Sequence, residues 1–461
     1  MKNNKTKDMT SGSPVKLILG FSVPLLFGFL FQQFYNLADT VIVGRVLGVN
    51  ALASVGATGS VNFLIIGFCM GVCGGFGIPI AQKFGAKDDA GLRKFVANSI
   101  YLSTVLAVVM TVIVVIFCRP ILLLMQTPAD IIDDSYRYIV VIFIGIPVTY
   151  LVNLLMSYVR ALGDSKTPVI FLTIAAVLNI ILDLLFMIVF HMGVQGAAVA
   201  TVLAQLIVGV CGLFYIIKHF PILRLGKADW ELSMHHIKIL CSMGIPMGLQ
   251  YSITAIGSVI LQTAVNSLGS VSVASITAGS KISMFFCCPF DALGTTMATY
   301  GGQNVGANKL DRVDRGLKSC CLLGIIYSVL AFGVIWLFGR DIAQLFVEAK
   351  ETIILNEVDQ FLFLNSMFYI PLAFVNIVRF MIQGLGFSKF AIIAGVCEMI
   401  ARSIVGFLFV PVYGFTAACL ANPLAWVAAD IFLIPAYLSV IKKLRAIFEK
   451  KTEAVKELQS V

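Results

Sequence analysis

The chain is poor in charge. Of its 461 residues, 12% are Asp, Glu, Lys or Arg, against about 25% in a soluble domain. Catalytic signatures are missing as well. The four histidines form no H-E-x-x-H and no ligand constellation, and His235-His236 is a lone pair in a polar loop. There is no G-x-S-x-G either, so an enzyme is not expected. Gly163-Asp-Ser-Lys166-Thr167 has a superficial likeness to a phosphate-binding loop, but the required Gly-Lys-[Ser/Thr] is absent. With no soluble nucleotide-binding domain, that disfavours an ATP-driven pump. The eleven cysteines lack disulfide or zinc spacing. Cys69 and Cys73, Cys287-Cys288 and Cys320-Cys321 fall in or beside apolar segments and read as small hydrophobes.

Apolar sequence is what the chain has in excess, at 59% hydrophobic residues. A membrane-spanning helix needs about 20 mainly apolar residues. Twelve stretches qualify: 15–43, 54–80, 94–118, 133–158, 167–190, 194–218, 238–266, 273–300, 316–338, 356–381, 389–411 and 415–441. Their unbroken runs lack the alternation of a membrane β-barrel. The first is too long for a signal-peptide core and is kept as a span. The expected class is an all-α, multi-pass protein of the cell (cytoplasmic) membrane.

The net charge of +9 does not call for nucleic acid. Lys and Arg gather in alternate loops, from Lys2, Lys5, Lys7 and Lys16 through Lys83, Lys87, Arg93 and Lys94 to Lys442, Lys443 and Arg445. Arg379 and Lys389 are read with that set. It totals 26, against 4 in the opposite loops (Arg45, Arg119, Arg340 and Lys350). Positive charge stays inside, so both termini are expected in the cytoplasm.

The sequence repeats itself at about 221 residues. Gln82-Lys-Phe-Gly85-Ala86 returns as Gln303-Asn-Val-Gly306-Ala307, and Gly48 with Leu52-Ala53-Ser54 as Gly269 with Val273-Ala274-Ser275. Gly193 to Ala204 returns as Gly414 to Ala425, Ser22-Val-Pro24 as Gly244-Ile-Pro246, and Leu162-Gly163 as Leu385-Gly386. Each half holds six spans, so both halves share one orientation. Such parallel repeats are built to bind a cargo between the halves and to alternate access by rocking. The expected organisation is an N-lobe over 1–220, a cytoplasmic linker over 221–237, a C-lobe over 238–445 and a tail over 446–461.

Two carboxylates stand where the membrane should exclude them. Asp39 and Asp183 lie inside long apolar runs, and an ionisable group at membrane depth is a functional site by default. Asn179 and Asp183 are four apart and share a helix face. Gln32, Asn36 and Asp39 form one polar stripe. At about 1.5 Å per residue, Asp39 lies roughly 6 Å, and Asp183 and Thr201 roughly 10 Å, below the outer ends of their helices. Two carboxylates, an amide and a hydroxyl suit a proton or a hard cation. Shifted by the repeat, Asp39 falls on Ile260 or Leu261 and Asp183 on Ile404 to Gly406, so neither acid has a partner in the second half.

The twelve spans, the paired Gln-x-x-Gly-Ala loops and the long segment between spans six and seven resemble the multidrug and toxic compound extrusion (MATE) family over nearly the whole chain. The pair Asp39 and Asp183 resembles its DinF-like branch. The resemblance implies a MATE fold of twelve transmembrane helices in two six-helix lobes. It implies a cation-coupling site at Asp39, Asn179, Asp183 and Thr201, and a hinge at Pro24 in the first helix. It also implies a secondary antiporter that exports amphipathic organic cations in exchange for protons. No cofactor, no structural metal and no partner chain are expected; a monomer suffices. Sodium at the same four residues is the alternative coupling ion. The C-lobe acids of sodium-coupled relatives are missing here, because 244–266 and 361–377 contain none. That favours the proton.

Polar helix faces and the family analogy give plausible cargo-lining residues: Gln32, Gln33, Asn36, Asn153 and Met156, with Gln250, Thr254 and Gln262. In the C-lobe, Glu398 and Arg402 are four apart and can pair, and Lys281 lies at a depth similar to that of Arg402. These three form a candidate charge network, read either as a neutral packing device or as a second protonation or gating site. Asp291 and Asp430 sit toward the cytoplasmic ends of their helices. The rival reading is a lipid-linked oligosaccharide flippase of the same superfamily. Twelve spans, and a cleft richer in acid than in base, argue against it.

Overall fold

The computed structural model describes residues 6–459, and every regular element among them is helical. The chain runs α1 (Pro14–Leu47), α2 (Val49–Gly85), α3 (Asp89–Ile116), α4 (Cys118–Leu124), α5 (Ile132–Ile144), α6 (Ile146–Ala161), α7 (Lys166–Leu184) and α8 (Val194–His219). It continues as α9 (Met234–Asn266), α10 (Ser270–Gly306), α11 (Leu310–Gln344), α12 (Thr352–Ser366), α13 (Tyr369–Gly384), α14 (Lys389–Ile404) and α15 (Val410–Gln459). Nine runs are long and apolar enough to cross a membrane. Two more spans are broken: α5 and α6 meet at 48°, α12 and α13 at 52°. Pro147 and Pro371 stand at the starts of α6 and α13, where a missing N–H ends the hydrogen-bond ladder. The run Lys389–Lys450 breaks at Gly414, whose φ of 61° and ψ of −136° are not helical. This arrangement is consistent with twelve spans.

The repeat is written into the backbone. Positive φ recurs at Gly48 and Gly269, Lys87 and Asn308, Gly163 and Gly386, and Gly193 and Gly414. Single π-helical turns recur at Leu185–Val189 and Val405–Phe409. At the glycines the left-handed backbone needs a residue without a Cβ.

The helices gather into two compact units. Unit 1 comprises Met1–Lys7, Val23–Phe84 and Asp88–Ala255; unit 2 comprises Asp8–Ser22, Gly85–Lys87 and Ile256–Val461. Within α1 and α9 the unit changes next to Pro24 and between Ala255 and Ile256, outside the 221–237 segment. That segment is docked within unit 1. Arg93 on α3 pairs with Asp229 at 3.2 Å, and Ser233 N–H donates to Asn98 Oδ1 at 2.9 Å.

Small residues let helices of unit 1 touch backbone to backbone. A Cβ at Gly75 would sit 2.5 Å from Gly244 Cα, and one at Gly71 would sit 2.6 Å from the Met247 carbonyl. Gly71/Gly75 and Gly244/Gly248 are therefore small-x-x-x-small pairs, the usual close-contact device where lipid removes the hydrophobic drive. The Gly163 loop is no phosphate site. Asp164 caps α7, accepting from Lys166 N–H at 2.8 Å and from Thr167 Oγ1 at 2.6 Å.

Candidate cation-coupling site

Four helices of unit 1 bring six polar side chains together: Tyr35 and Asp39 from α1, Tyr138 from α5, Asn179 and Asp183 from α7, and Thr201 from α8. Gly28 sets the approach of α1, since a Cβ there would stand 2.8 Å from Val169 on α7. Asp39 is three helical turns beyond it, on the same face. The break at Gly193 turns the chain between α7 and α8, which pack side by side.

The carboxyl groups of Asp39 and Asp183 lie within hydrogen-bonding reach of each other. Asp183 is 0% and Asn179 2% exposed, while Asp39 is half-buried. On each acid one oxygen, Oδ1, is buried without a partner. The Asn179 amide satisfies most neighbours with its nitrogen toward Asp183 Oδ2 at 3.2 Å and its oxygen accepting from the Thr201 N–H at 3.0 Å. Tyr35 Oη hydrogen-bonds the same amide. Thr201 Oγ1 donates to the Ala197 carbonyl at 3.0 Å. Two carboxylates at this spacing cannot both stay ionised unless a proton or a cation sits with them. Two orphaned carboxylate oxygens, the amide and the hydroxyls fit either occupant.

The sequence thus identified four of the six groups. Tyr35 was within reach of the same reasoning, being one turn before Asp39. Tyr138 was not. It arrives from α5 and comes into electrostatic range of both acids only in the fold.

The expected cargo-lining residues divide. Gln32 and Gln33 are half-buried and Asn36 is exposed on α1. Asn153 and Thr254 turn back on their own helices, onto Thr149 O at 2.9 Å and Gln250 O at 3.0 Å. Gln250 is buried in unit 1. Gln262, in unit 2, is exposed and donates to Asn266 Oδ1 at 2.9 Å. Met156, at 2% exposure, packs in the hydrophobic core of unit 1.

The charge network of unit 2 is corrected. Glu398 pairs with Arg402 at 3.2 Å as expected. Its other oxygen is taken by Arg379, which the loop count had placed outside the membrane and which is 6% exposed on α13. Lys281 is exposed and makes none of these bonds. A lysine can run its long stem out to a polar boundary.

This network occupies the place of the coupling site in the repeat. Asn179, Thr201 and Tyr35 shift by 223, 221 and 222 onto Arg402, Asn422 and Gly257. Asn179 bonds Thr201; Arg402 Nε donates to Asn422 Oδ1 at 3.0 Å. Tyr35 touches Asn179; a Cβ on Gly257 would stand 3.2 Å from Arg402 Nη1. The larger Arg402 fills the space left where tyrosine gives way to glycine.

A family model described as MatE matches residues 24–185 and 246–408, once in each half of the chain. The probable multidrug resistance protein YpnP of Bacillus subtilis (strain 168) is 31% identical over 378 residues, covering 81% of this chain and 83% of that protein. An FAD transporter of Shewanella oneidensis is 23% identical, covering 84% of this chain and 85% of that one. A solved outward-facing multidrug resistance MATE transporter superposes with a TM-score of 0.88 at 23% identity, covering 97% of this chain and 100% of that one. The chain therefore belongs to the MatE family of multi-pass membrane transporters.

Proposed function

We propose that this transporter is a secondary multidrug antiporter of the cell membrane. It exports amphipathic organic cations in exchange for protons carried inward on Asp39 and Asp183. The observation that supports it is the carboxyl pair itself: within reach, Asp183 buried and Asp39 half-buried, with an orphaned oxygen on each acid and, among the described residues, no basic side chain hydrogen-bonded to either. A proton satisfies that pair at least cost, since neutralising one acid removes both the repulsion and the penalty of a buried charge. The driving field is adequate, at about 2.3 kcal/mol per charge per 100 mV. The excess of Lys and Arg in alternate loops supports cytoplasmic termini.

Asn179 and Thr201 hold the pair in register. The proline near the unit boundary in α1 gives Asp39 a way to signal its protonation, by changing the bend at Pro24. The relative YpnP is named as a probable multidrug resistance protein, which supports drug export. The relative named for FAD makes an anionic compound a necessary second cargo in the test. Purified protein in liposomes, given a fluorescent organic cation under a pH gradient or a sodium gradient, tests the reading. Proton-driven flux that is lost in Asp39→Asn and Asp183→Asn supports it. Sodium-driven flux lost in the same variants would transfer the site to sodium.

A further inference from the structure

Among the acids of unit 2, Asp430 stands next to a buried charge cluster without being bonded into it. Asp430 on α15 is 8% exposed, its Oδ1 is buried, and no hydrogen bond reaches either of its oxygens. It stands beside the cluster that replaces the coupling site in the repeat. Arg379 from α13 and Glu398 from α14 come into electrostatic range of it, as does the Cys321 thiol from α11. Arg402 is bound to Glu398.

The charges define what Asp430 can do. Glu398 has both oxygens held by guanidinium groups, one on Arg379 and one on Arg402. Both contacts are charge-assisted hydrogen bonds. The triad then carries one spare positive charge. Its guanidinium groups also keep two buried N–H donors without partners, on Arg379 Nε and Arg402 Nη1. An ionised Asp430 cancels the spare charge; a protonated Asp430 leaves it. A buried carboxyl group is stable either neutral or beside a cation. Asp430 has the cation close by but is tied to it by no hydrogen bond, so neither form is locked in.

We propose that Asp430 is a second proton-exchange site, housed in unit 2 beside the cluster that stands at the repeat counterpart of the first. The proton moves between the Asp430 carboxyl and water, and no other bond changes. The acid has migrated: the repeat positions of Asp39 and Asp183 are apolar residues or glycine, and Gly209 occupies the position in the first half that corresponds to Asp430. This proposal rests on proton antiport at Asp39 and Asp183, and its test separates the two.

The experiment measures the steady-state cargo ratio across liposomes at a fixed pH difference, with the membrane potential clamped to zero. Each coupled proton multiplies that ratio by about 10 per pH unit. Asp430→Asn, close in shape to the native residue, is expected to lower the limiting ratio about tenfold per pH unit while leaving proton-driven transport present. An unchanged ratio in Asp430→Asn, at whatever rate, overturns the proposal and makes the residue structural. Absence of proton-driven transport in the wild-type protein would instead remove the antiport reading. If Asp430→Asn transports too little to yield a ratio, infrared difference spectra of the folded variant between acid and alkaline pH decide. Loss of one protonated-carboxyl band, restored by Asp430→Glu, supports the site; an unaltered spectrum overturns it.

Discussion

At the scale of residues, three acids and two buried arginines divide the work. Asp39 and Asp183 face each other with nothing basic bonded to them; Glu398 is clasped from two sides. The consequences of substitution differ accordingly. Asp183→Asn removes a charge that the membrane disfavours, so the folded protein should survive while coupling is lost. Glu398→Gln strands two buried guanidinium groups. Breaking a buried pair costs about 3–5 kcal/mol, so a marked fall in unfolding temperature in detergent is expected. A Glu398→Gln variant as stable as wild type would contradict the bridged arrangement. The acids were legible in the sequence because charge inside an apolar run is conspicuous on its own. Arg379 was not: it lies near the end of its apolar stretch, where a loop cation and a buried one look alike.

At the scale of elements, glycine and proline set the geometry. Gly28 admits α1 against Val169 of α7. Gly28→Leu should push α1 away and weaken the pairing of Asp39 with Asp183. Proton-driven flux should then fall at least tenfold with the acids intact, and flux within twofold of wild type would reject the role. Pro24→Ala should also slow transport; full transport would sink the hinge. The turn before α3 offers a pH test outside the membrane. The Lys83 ammonium and the Gly91 N–H hold the Asp88 carboxyl below the usual carboxylate range. A depressed acid stabilises the fold above its unfolded value and loses that contribution as pH falls through the folded one. The Asp88 contribution should be complete at neutral pH and disappear only below about pH 4. Asp88→Ala should cost about 1 kcal/mol as a lost helix cap, seen as a lower unfolding temperature at neutral pH, and a difference that persists unchanged in strong acid would contradict it. The repeat was legible at this scale because its landmarks are glycines with obligatory positive φ, and those positions tolerate little change.

At the scale of the whole molecule, a duplicated chain has kept its backbone and diverged in its charge. The same helical positions that hold an amide and a hydroxyl beside two acids in the first half hold Arg402 and Asn422 in the second. Sequence comparison between the halves showed the acids to be unmatched. It could not show that the unmatched place had become a charged cluster, because Arg379 on α13, Glu398 and Arg402 on α14 and Asn422 on α15 meet only in the fold. The central claim is that the Asp39–Asp183 pair carries the driving proton. The most direct measurement is proton movement accompanying cargo flux in liposomes, with wild type, Asp39→Asn and Asp183→Asn side by side. Protons entering as cargo leaves in the wild type, and neither movement in the two variants, is the predicted result. Cargo flux in the wild type with no proton movement, or proton coupling that persists in both variants, would contradict it.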